Sequence, residues 1–280
     1  MKKLIILVAI ILLSIVSFSQ ENASLHFDKK SIDLSGGLCL GVMRDLGVSP
    51  LYYSNIIPVF EARYNKITEK RFFDVDFSSL NGMQFKIIND QFYNNTINAI
   101  NLKFEYAWYS GFYSLEGISD YVGMSVSNFA DMRVNESFSN AALSFDNLSN
   151  IALTYTLFKK LNRPQKTKKF LGLIKFDRKE KNYLFAFKVG IPLYTLIYRQ
   201  GYTNPGNSTA NIEILFPGYE LVGKFLTGLD TDISLTRLLK NGNGIKINYN
   251  WMAFSSGKNE INSLNFSQHS IMLGLSFKLN

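Results

Sequence analysis

Residues Ile271-Met272-Leu273-Gly274-Leu275-Ser276-Phe277-Lys278-Leu279 alternate without a break. Ile271, Leu273, Leu275, Phe277 and Leu279 fall on one side of an extended chain, and Ser270, Met272, Gly274, Ser276 and Lys278 on the other, because successive strand side chains point to opposite faces. Just upstream, Ile245, Ile247, Tyr249 and Trp251 alternate with Lys246, Asn248 and Asn250, after the turn sequence Asn241-Gly242-Asn243-Gly244. Such a hairpin cannot stand alone, and its edges need partners. The pattern recurs about eight more times upstream. It predicts an all-β chain, a transmembrane antiparallel up-and-down β-barrel of about ten strands, with twelve as the alternative count.

Working upstream to the start, the first strand sets Ile32, Leu34, Leu38, Leu40 and Val42 against Asp33, Ser35, Gly37, Cys39 and Gly41. The second runs from Ile56 to Tyr64, with Glu61 and Arg63 on its polar face and Pro58 marking a bulge or a strand end. In the third, Phe73, Val75 and Phe77 oppose Asp74, Asp76 and Ser78. An Asn-rich loop around Asn89 to Asn95 precedes the clearest strand, where Ile100, Leu102, Phe104, Tyr106 and Trp108 face away from Asn101, Lys103, Glu105 and Ala107. Shorter alternations follow at Val122–Val126 and Ile151–Leu157. A seventh strand runs from Tyr183 to Leu193 with Lys188 on its polar face, and an eighth sets Leu229 to Leu235 against Asp230 and Asp232. Residues Tyr198 to Phe225 alternate poorly and read as a long loop around Asn204-Pro205-Gly206-Asn207 and Phe216-Pro217-Gly218.

The N-terminus reads as a cleaved secretory signal peptide over residues 1–19. Lys2 and Lys3 start it, Leu4 to Val16 form its apolar run and Ser17-Phe18-Ser19 its cleavage site. That run is too short for a spanning helix, which needs about 20 residues. Residues 20–30 are a polar lead-in, and residues 31–280 are the barrel. The single cysteine, Cys39, excludes an intrachain disulfide. The 14% aromatic content, with 23 Phe and 15 Tyr, suits strands and interfacial girdles. The net charge of +8 is unevenly placed: ten Lys or Arg lie between Lys159 and Lys181 against Asp177 and Glu180. The basic character of the chain thus comes from one loop, with an apolar island at Leu171 to Phe176, which strand parity places on the periplasmic side.

Period two does not say which face is outward, so a secreted soluble β-barrel binding an apolar ligand stays open. Export, mid-strand charges and aromatic residues near the strand ends (Tyr64, Trp108, Tyr183, Trp251) favour a polar lumen and an apolar outside. The expected lumen face collects Asp33, Glu61, Arg63, Asp74, Asp76, Lys103, Glu105, Lys188, Asp230, Asp232, Lys246 and Lys278. In a barrel of about ten strands, side chains largely fill the interior. The expectation is a salt-bridged lumen, with a selective narrow pore as the sharper reading.

Gly274, Phe277 and Leu279 resemble the C-terminal assembly signal of outer-membrane barrels, departing from it at Asn280 and Met272. Phe18-Ser19-Gln20 and the Asn-rich loops resemble those of Bacteroidota barrel proteins. The resemblance implies location in the bacterial outer membrane, contact with its lipids and lipopolysaccharide, handling by the barrel-assembly machinery, and a non-enzymatic, structural, binding or porin-like transport role. The acidic pairs Asp74/Asp76 and Asp230/Asp232 resemble the rim acids of the ten-stranded omptin proteases, which keeps a barrel-embedded hydrolase, protease or lipase, as the alternative. Parity sets Asp230, Asp232 and His269 toward the outer end and Asp74 and Asp76 away from it. There is no Asp-x-His motif, His269 falls in the apolar phase, and neither His26 nor His269 has an evident serine partner. No metal spacing, cofactor motif or nucleic-acid motif is present, so no catalytic or metal residue is assigned and no nucleic-acid partner is expected.

Overall fold

A computed structural model describes residues 29–47, 49–88, 90–113, 117–134, 143–170, 174–200, 219–257 and 263–279. The signal peptide, most of the lead-in with His26, and the turn sequences at 204–207 and 216–218 lie outside the described residues. The strands are β1 (Lys29–Asp45), β2 (Ser49–Ile67), β3 (Arg71–Ile88), β4 (Gln91–Tyr109), β5 (Ile118–Val134), β6 (Leu143–Arg163), β7 (Lys166–Phe170), β8 (Ile174–Arg178), β9 (Lys181–Gln200), β10 (Tyr219–Phe225), β11 (Gly228–Leu238), β12 (Gly244–Ser255) and β13 (Leu264–Leu279). Ten of them, β1–β6, β9 and β11–β13, hydrogen-bond in an antiparallel ring closed by β1 against β13 and β6 against β9. The start of β1 and the end of β13 lie at one rim, where Lys30 pairs with Leu279. We call this the terminal rim, and the opposite one the far rim.

The apolar stripes face outward and stay exposed, Ile56 at 57%, Val126 at 55% and Leu273 at 64%. The alternate residues are buried inside the ring, as Asp33, Glu61 and Lys246 are. This excludes the inverted, apolar-interior arrangement. The outward apolar run from Trp108 to Ile100 covers nine residues of β4, matching the 9–11 of a membrane-crossing strand. Farther along β5 and β6 the outer face carries a polar patch, with exposed Met132 beyond it. Asn128 donates to Asn147 Oδ1 and Ser149 Oγ, each at 2.8 Å, across β5 and β6. Aromatic residues mark both edges of the band. Trp108 stands edge-on to Tyr106 near the terminal rim, and Trp251 stacks on His269 at 6.0 Å toward the far side.

The strands are longer than their apolar runs. β1 begins at Lys29 rather than after the lead-in, and β4 begins at Gln91, so Asn94 and Asn95 belong to a strand and not to a loop. The basic stretch is not one loop either: β6 runs on to Arg163, β9 starts at Lys181, and β7 and β8 pair between them as a separate two-stranded ribbon. Nor is 198–225 wholly a loop, since β9 reaches Gln200 and β10 pairs with it from Tyr219 to Phe225. The alternation fails there because Leu193 is an extra residue. Ile151 pairs with Tyr194 but Ala152 with Pro192, and the buried set changes from Lys188 and Gly190 to Thr195, Ile197 and Arg199. One inserted residue moves every later side chain to the other face. β10 and β11 are one path broken at Leu226, whose φ is 52°. Only β11 joins the ring, so β10 lies on β9 as an outer strand. Pro58 sits mid-strand on the exposed face. The β2–β3 ladder lapses at 56–58 and resumes in the same register at Val59, so the missing N–H costs no bulge.

Gly274 lies where β13 presses against β1. A Cβ there would stand 2.2 Å from Ser35 Oγ and 2.5 Å from the Leu34 carbonyl oxygen, and the backbone atom cannot swing aside. Gly274→Ala is therefore expected to lower stability by about 1–3 kcal/mol. A fall in the urea midpoint of the folded band on unheated gels would show it, and an unchanged midpoint would contradict it.

Candidate functional site

The strands enclose a lumen, and its side chains lie in layers. Next to the terminal rim Ile67, Phe72, Ala107, Tyr121, Phe158, Leu184 and Ala186 form an apolar cluster. Phe72 and Phe158 meet edge-on at 5.3 Å, and Tyr121 donates from Oη to the Thr68 carbonyl oxygen at 2.8 Å. These residues occupy the inward phase of their strands, where apolar alternation alone predicts polar ones.

Above this cluster lies the charged layer. Lateral register sets Asp33 beside Arg63, Arg63 beside Asp76 and Asp76 beside Lys103, a row of alternating sign across β1 to β4. Arg63 is its hub. Its Nη2 lies 2.6 Å from Asp76 Oδ2, 2.8 Å from Asp232 Oδ2 and 3.1 Å from Glu61 Oε2, and Nε also donates to Asp76. Lys188 pairs with Asp74 and lies 3.8 Å from Glu105, whose other oxygen accepts from Thr156 Oγ1 at 2.9 Å. The Lys188 ammonium also sits 4.6 Å over the Phe72 ring, tying this layer to the cluster below. Lys246 reaches Asp33 at 3.0 Å, and Lys103 reaches Asp230 at 2.5 Å.

Eleven of the twelve charged residues expected in the lumen thus meet in one layer. Lys278 does not: it keeps the inward phase but is exposed at the terminal rim, beside the turn at Gly242. Asp230 and Asp232 are not at the outer end either, and Arg63 joins Asp232 directly to Asp76. The parity estimate failed because β11 begins only at Gly228, well below the far rim reached by β9. His269 remains on the outer face, where its Nδ1 lies 2.7 Å from Tyr249 Oη.

Over the charged layer is a cavity of about 90 Å³, lined by Glu61, Asp74, Asp76, Asp232, Asn150 and Gln268 among others. That is room for several waters at about 10–15 Å³ each. Glu61, Asp74, Asp76 and Asp232, all in its lining, each keep a second carboxylate oxygen that has no hydrogen-bond partner among the described residues. A second apolar cluster follows, including Phe129, Leu148, Phe254, Phe266 and Met272, with the Phe254 and Phe266 rings stacked at 5.2 Å.

A second ionic group, unforeseen from the sequence, closes the far half. Arg133 pairs with Asp146 and, at 2.8 Å, with Asp45. Arg199 pairs with Asp45 at 2.6 Å and with Asp146 at 3.1 Å. Two arginines and two aspartates from β1, β5, β6 and β9 form a closed cycle, with Asp131 3.4 Å from Arg133. Its sequence signal was the inward phase of β5 and β6 carried beyond their apolar residues, and the phase inversion at Leu193 hid Arg199. Among the described residues no group of three or more His, Cys, Asp or Glu is arranged to hold a metal ion.

A ten-stranded antiparallel ring with an apolar outside, aromatic edges and a charged interior defines the outer-membrane type of β-barrel. No protein-family model and no curated protein matches the chain. Among solved structures it is similar to the outer membrane protease OmpT of Escherichia coli, at 8% identity and a TM-score of 0.54 over 94% of this chain and 99% of that one. It also matches the transport unit of the autotransporter AIDA-I of E. coli, at 10% identity and TM-score 0.48 over 97% of each chain. A third is the translocator domain of the autotransporter NalP of Neisseria meningitidis, at 9% identity and TM-score 0.38 over 90% of this chain and 89% of that one. At these identities the likeness is one of fold.

Replacing Arg63 by Met strands three buried carboxylates, with an expected loss of about 3–5 kcal/mol. Adding Asp76→Asn and Asp232→Asn to Arg63→Met should recover a large part of it in urea titrations of the folded band. A triple variant as unstable as Arg63→Met alone would show that Arg63 matters for its packing and not for its charge.

Proposed function

We propose that the protein is a non-enzymatic integral barrel of the bacterial outer membrane whose lumen is sealed, and which acts as a structural or binding element. The observation that carries this reading is the layered filling of the lumen by two apolar clusters and two ionic groups, with about 90 Å³ left between them. Open aqueous channels belong to barrels of about 16 strands or more. A narrow transport role would require both the Phe72 cluster and the Asp45–Arg199 cycle to part.

The chemistry of the acids supports the non-enzymatic reading over the hydrolase. Asp74, Asp76, Asp230 and Asp232 are each held in an ion pair by Lys188, Arg63 or Lys103. A hydrolase needs a base within reach of a nucleophile or a water, with a histidine as the usual partner, and His269 is on the other side of the wall.

In this reading residues 1–19 are removed on export, the terminal rim faces the periplasm, and lipopolysaccharide contacts the band toward the far rim. Gly274, Phe277 and Leu279 form the signal read by the assembly machinery, and the Bacteroidota-like leader and loops fit that setting.

The full chain, folded in detergent, is expected to change its gel mobility on boiling and to give no stable open state in planar bilayers. A large steady conductance would overturn the sealed lumen. A soluble periplasmic product without a mobility shift would overturn the membrane reading altogether.

A further inference from the structure

The lining of the lumen cavity is unbalanced in charge. Its carboxylates are Glu61, Asp74, Asp76, Asp230 and Asp232, and its cations are Arg63, Lys103 and Lys188, a formal excess of two negative charges. The imbalance is sharpest at Arg63, where a single Nη2 answers three carboxylates. Glu61, Asp74, Asp76 and Asp232 are each more than nine-tenths buried, and each keeps one carboxylate oxygen without a hydrogen-bond partner among the described residues. A buried charge without compensation is costly, and so is a buried acceptor without a donor. The lining therefore lacks two things, positive charge and hydrogen-bond donors.

Another part of the lining is apolar. Phe129, Leu148, Phe254, Phe266 and Met272 belong both to it and to the second apolar cluster. Water would bring donors to this space but no charge. A metal ion would bring charge but no donors, and it needs oxygens grouped as ligands; among the described residues no three or more His, Cys, Asp or Glu are so arranged. An alkylammonium ion brings both, since its nitrogen carries the charge and three N–H donors. Its alkyl end suits the phenylalanines, whose ring faces also attract a cation. The size is bounded as well: an apolar cavity of about 150 Å³ admits benzene, so about 90 Å³ takes a smaller guest.

Entry does not require the barrel axis. The β9–β11 ladder ends at Gly190 with Asp230, and the β9–β10 ladder begins at Tyr194 with Phe225. Between them the wall lacks rungs. The Leu226 N–H reaches the Leu193 carbonyl oxygen at a long 3.4 Å, and Pro192 has no N–H to donate. Gly190, Pro192 and Leu229, which flank this lapse, all line the cavity.

We infer that the lumen cavity is a binding site for a small primary ammonium ion, its nitrogen among the free oxygens of Glu61, Asp76 and Asp232 and its alkyl end toward Phe254 and Phe266. This rests on the reading of the lumen as sealed, because bulk water in an open channel would screen the charge excess.

The test follows the methyl resonances of Met252 and Met272, both in the cavity lining, in the full chain folded in detergent. Ethylammonium chloride is titrated against sodium chloride, calcium chloride and ethanol, the last having nearly the same shape without the charge. Ethylammonium is expected to shift both resonances and to saturate at roughly millimolar concentration, the range open to so small a ligand. Glu61→Gln, which removes one charge and one acceptor, should weaken that binding about tenfold or more. An unsaturated drift shared by every salt, an equal response to ethanol, saturation by sodium or calcium, or unchanged affinity in Glu61→Gln would each overturn the inference. The comparison of probes needs no variant, so it decides the matter even where Glu61→Gln does not fold. Planar-bilayer recording of the same preparation separates the two readings. A closed barrel without a saturable response counts against the site alone, whereas a large steady conductance counts against the sealed lumen and the site with it.

Discussion

Inside a hydrocarbon layer no water is available to an unpaired N–H or C=O, and each one left open costs several kcal/mol. The ladders that join β1 to β13 and β6 to β9 satisfy that constraint by leaving the ring without an edge. Closure then fixes what each face must be. Outward residues meet lipid, and inward ones share a space too narrow for bulk water. A charge on the inward face must find a partner on another strand, which is why Arg63 on β2 is shared by β3 and β11.

The second level of order runs along the barrel axis. Apolar and ionic layers alternate from the Phe72 cluster through Arg63 to the Phe266 stack and the Asp45–Arg133–Asp146–Arg199 cycle. Each ionic layer links strands distant in sequence, and each apolar layer limits solvent access to the charges beside it. Pairing charges in this setting is weak evidence of net stability, since burying both partners has its own desolvation penalty. Its stronger effect is on register: slipping β3 by one residue would take Asp76 away from Arg63 and turn it toward lipid.

The location and order of the ten wall strands were legible because lipid imposes strict period two on the outward face, as at Ile100 to Trp108. The strand ends were not, because polar residues such as Asn98 and Asn128 interrupt the outward apolar run while the strand itself continues. Reading by apolar alternation therefore stopped short of Asp131, Arg133 and Asp146. The bulge at Leu193 had a larger effect, since one residue inverted the phase and made a paired strand look like a loop. The charged lumen set was readable by phase, but not the level at which each residue sits. That level depends on where a strand starts, and the late start of β11 brought Asp232 down to Arg63. Apolar residues in the polar phase, Phe72, Phe158, Phe266 and Met272, were the sequence trace of the lumen clusters.

The period of two has a consequence for the chain before it folds. No stretch of the strand region joins its apolar residues into one continuous surface, and a charged side chain placed mid-helix costs about 2.5–3.5 kcal/mol on insertion scales. Wound as a helix, the segment from Ile100 to Trp108 would bring Lys103 and Glu105 into the hydrocarbon with it. The unfolded polypeptide is thus a poor substrate for any machinery that sorts helices into a bilayer, and becomes lipophilic only once its strands are laid side by side. Hydrophobicity here belongs to the assembled sheet and not to the sequence, so the chain is a polar thread before it folds and a lipophilic cylinder only when finished.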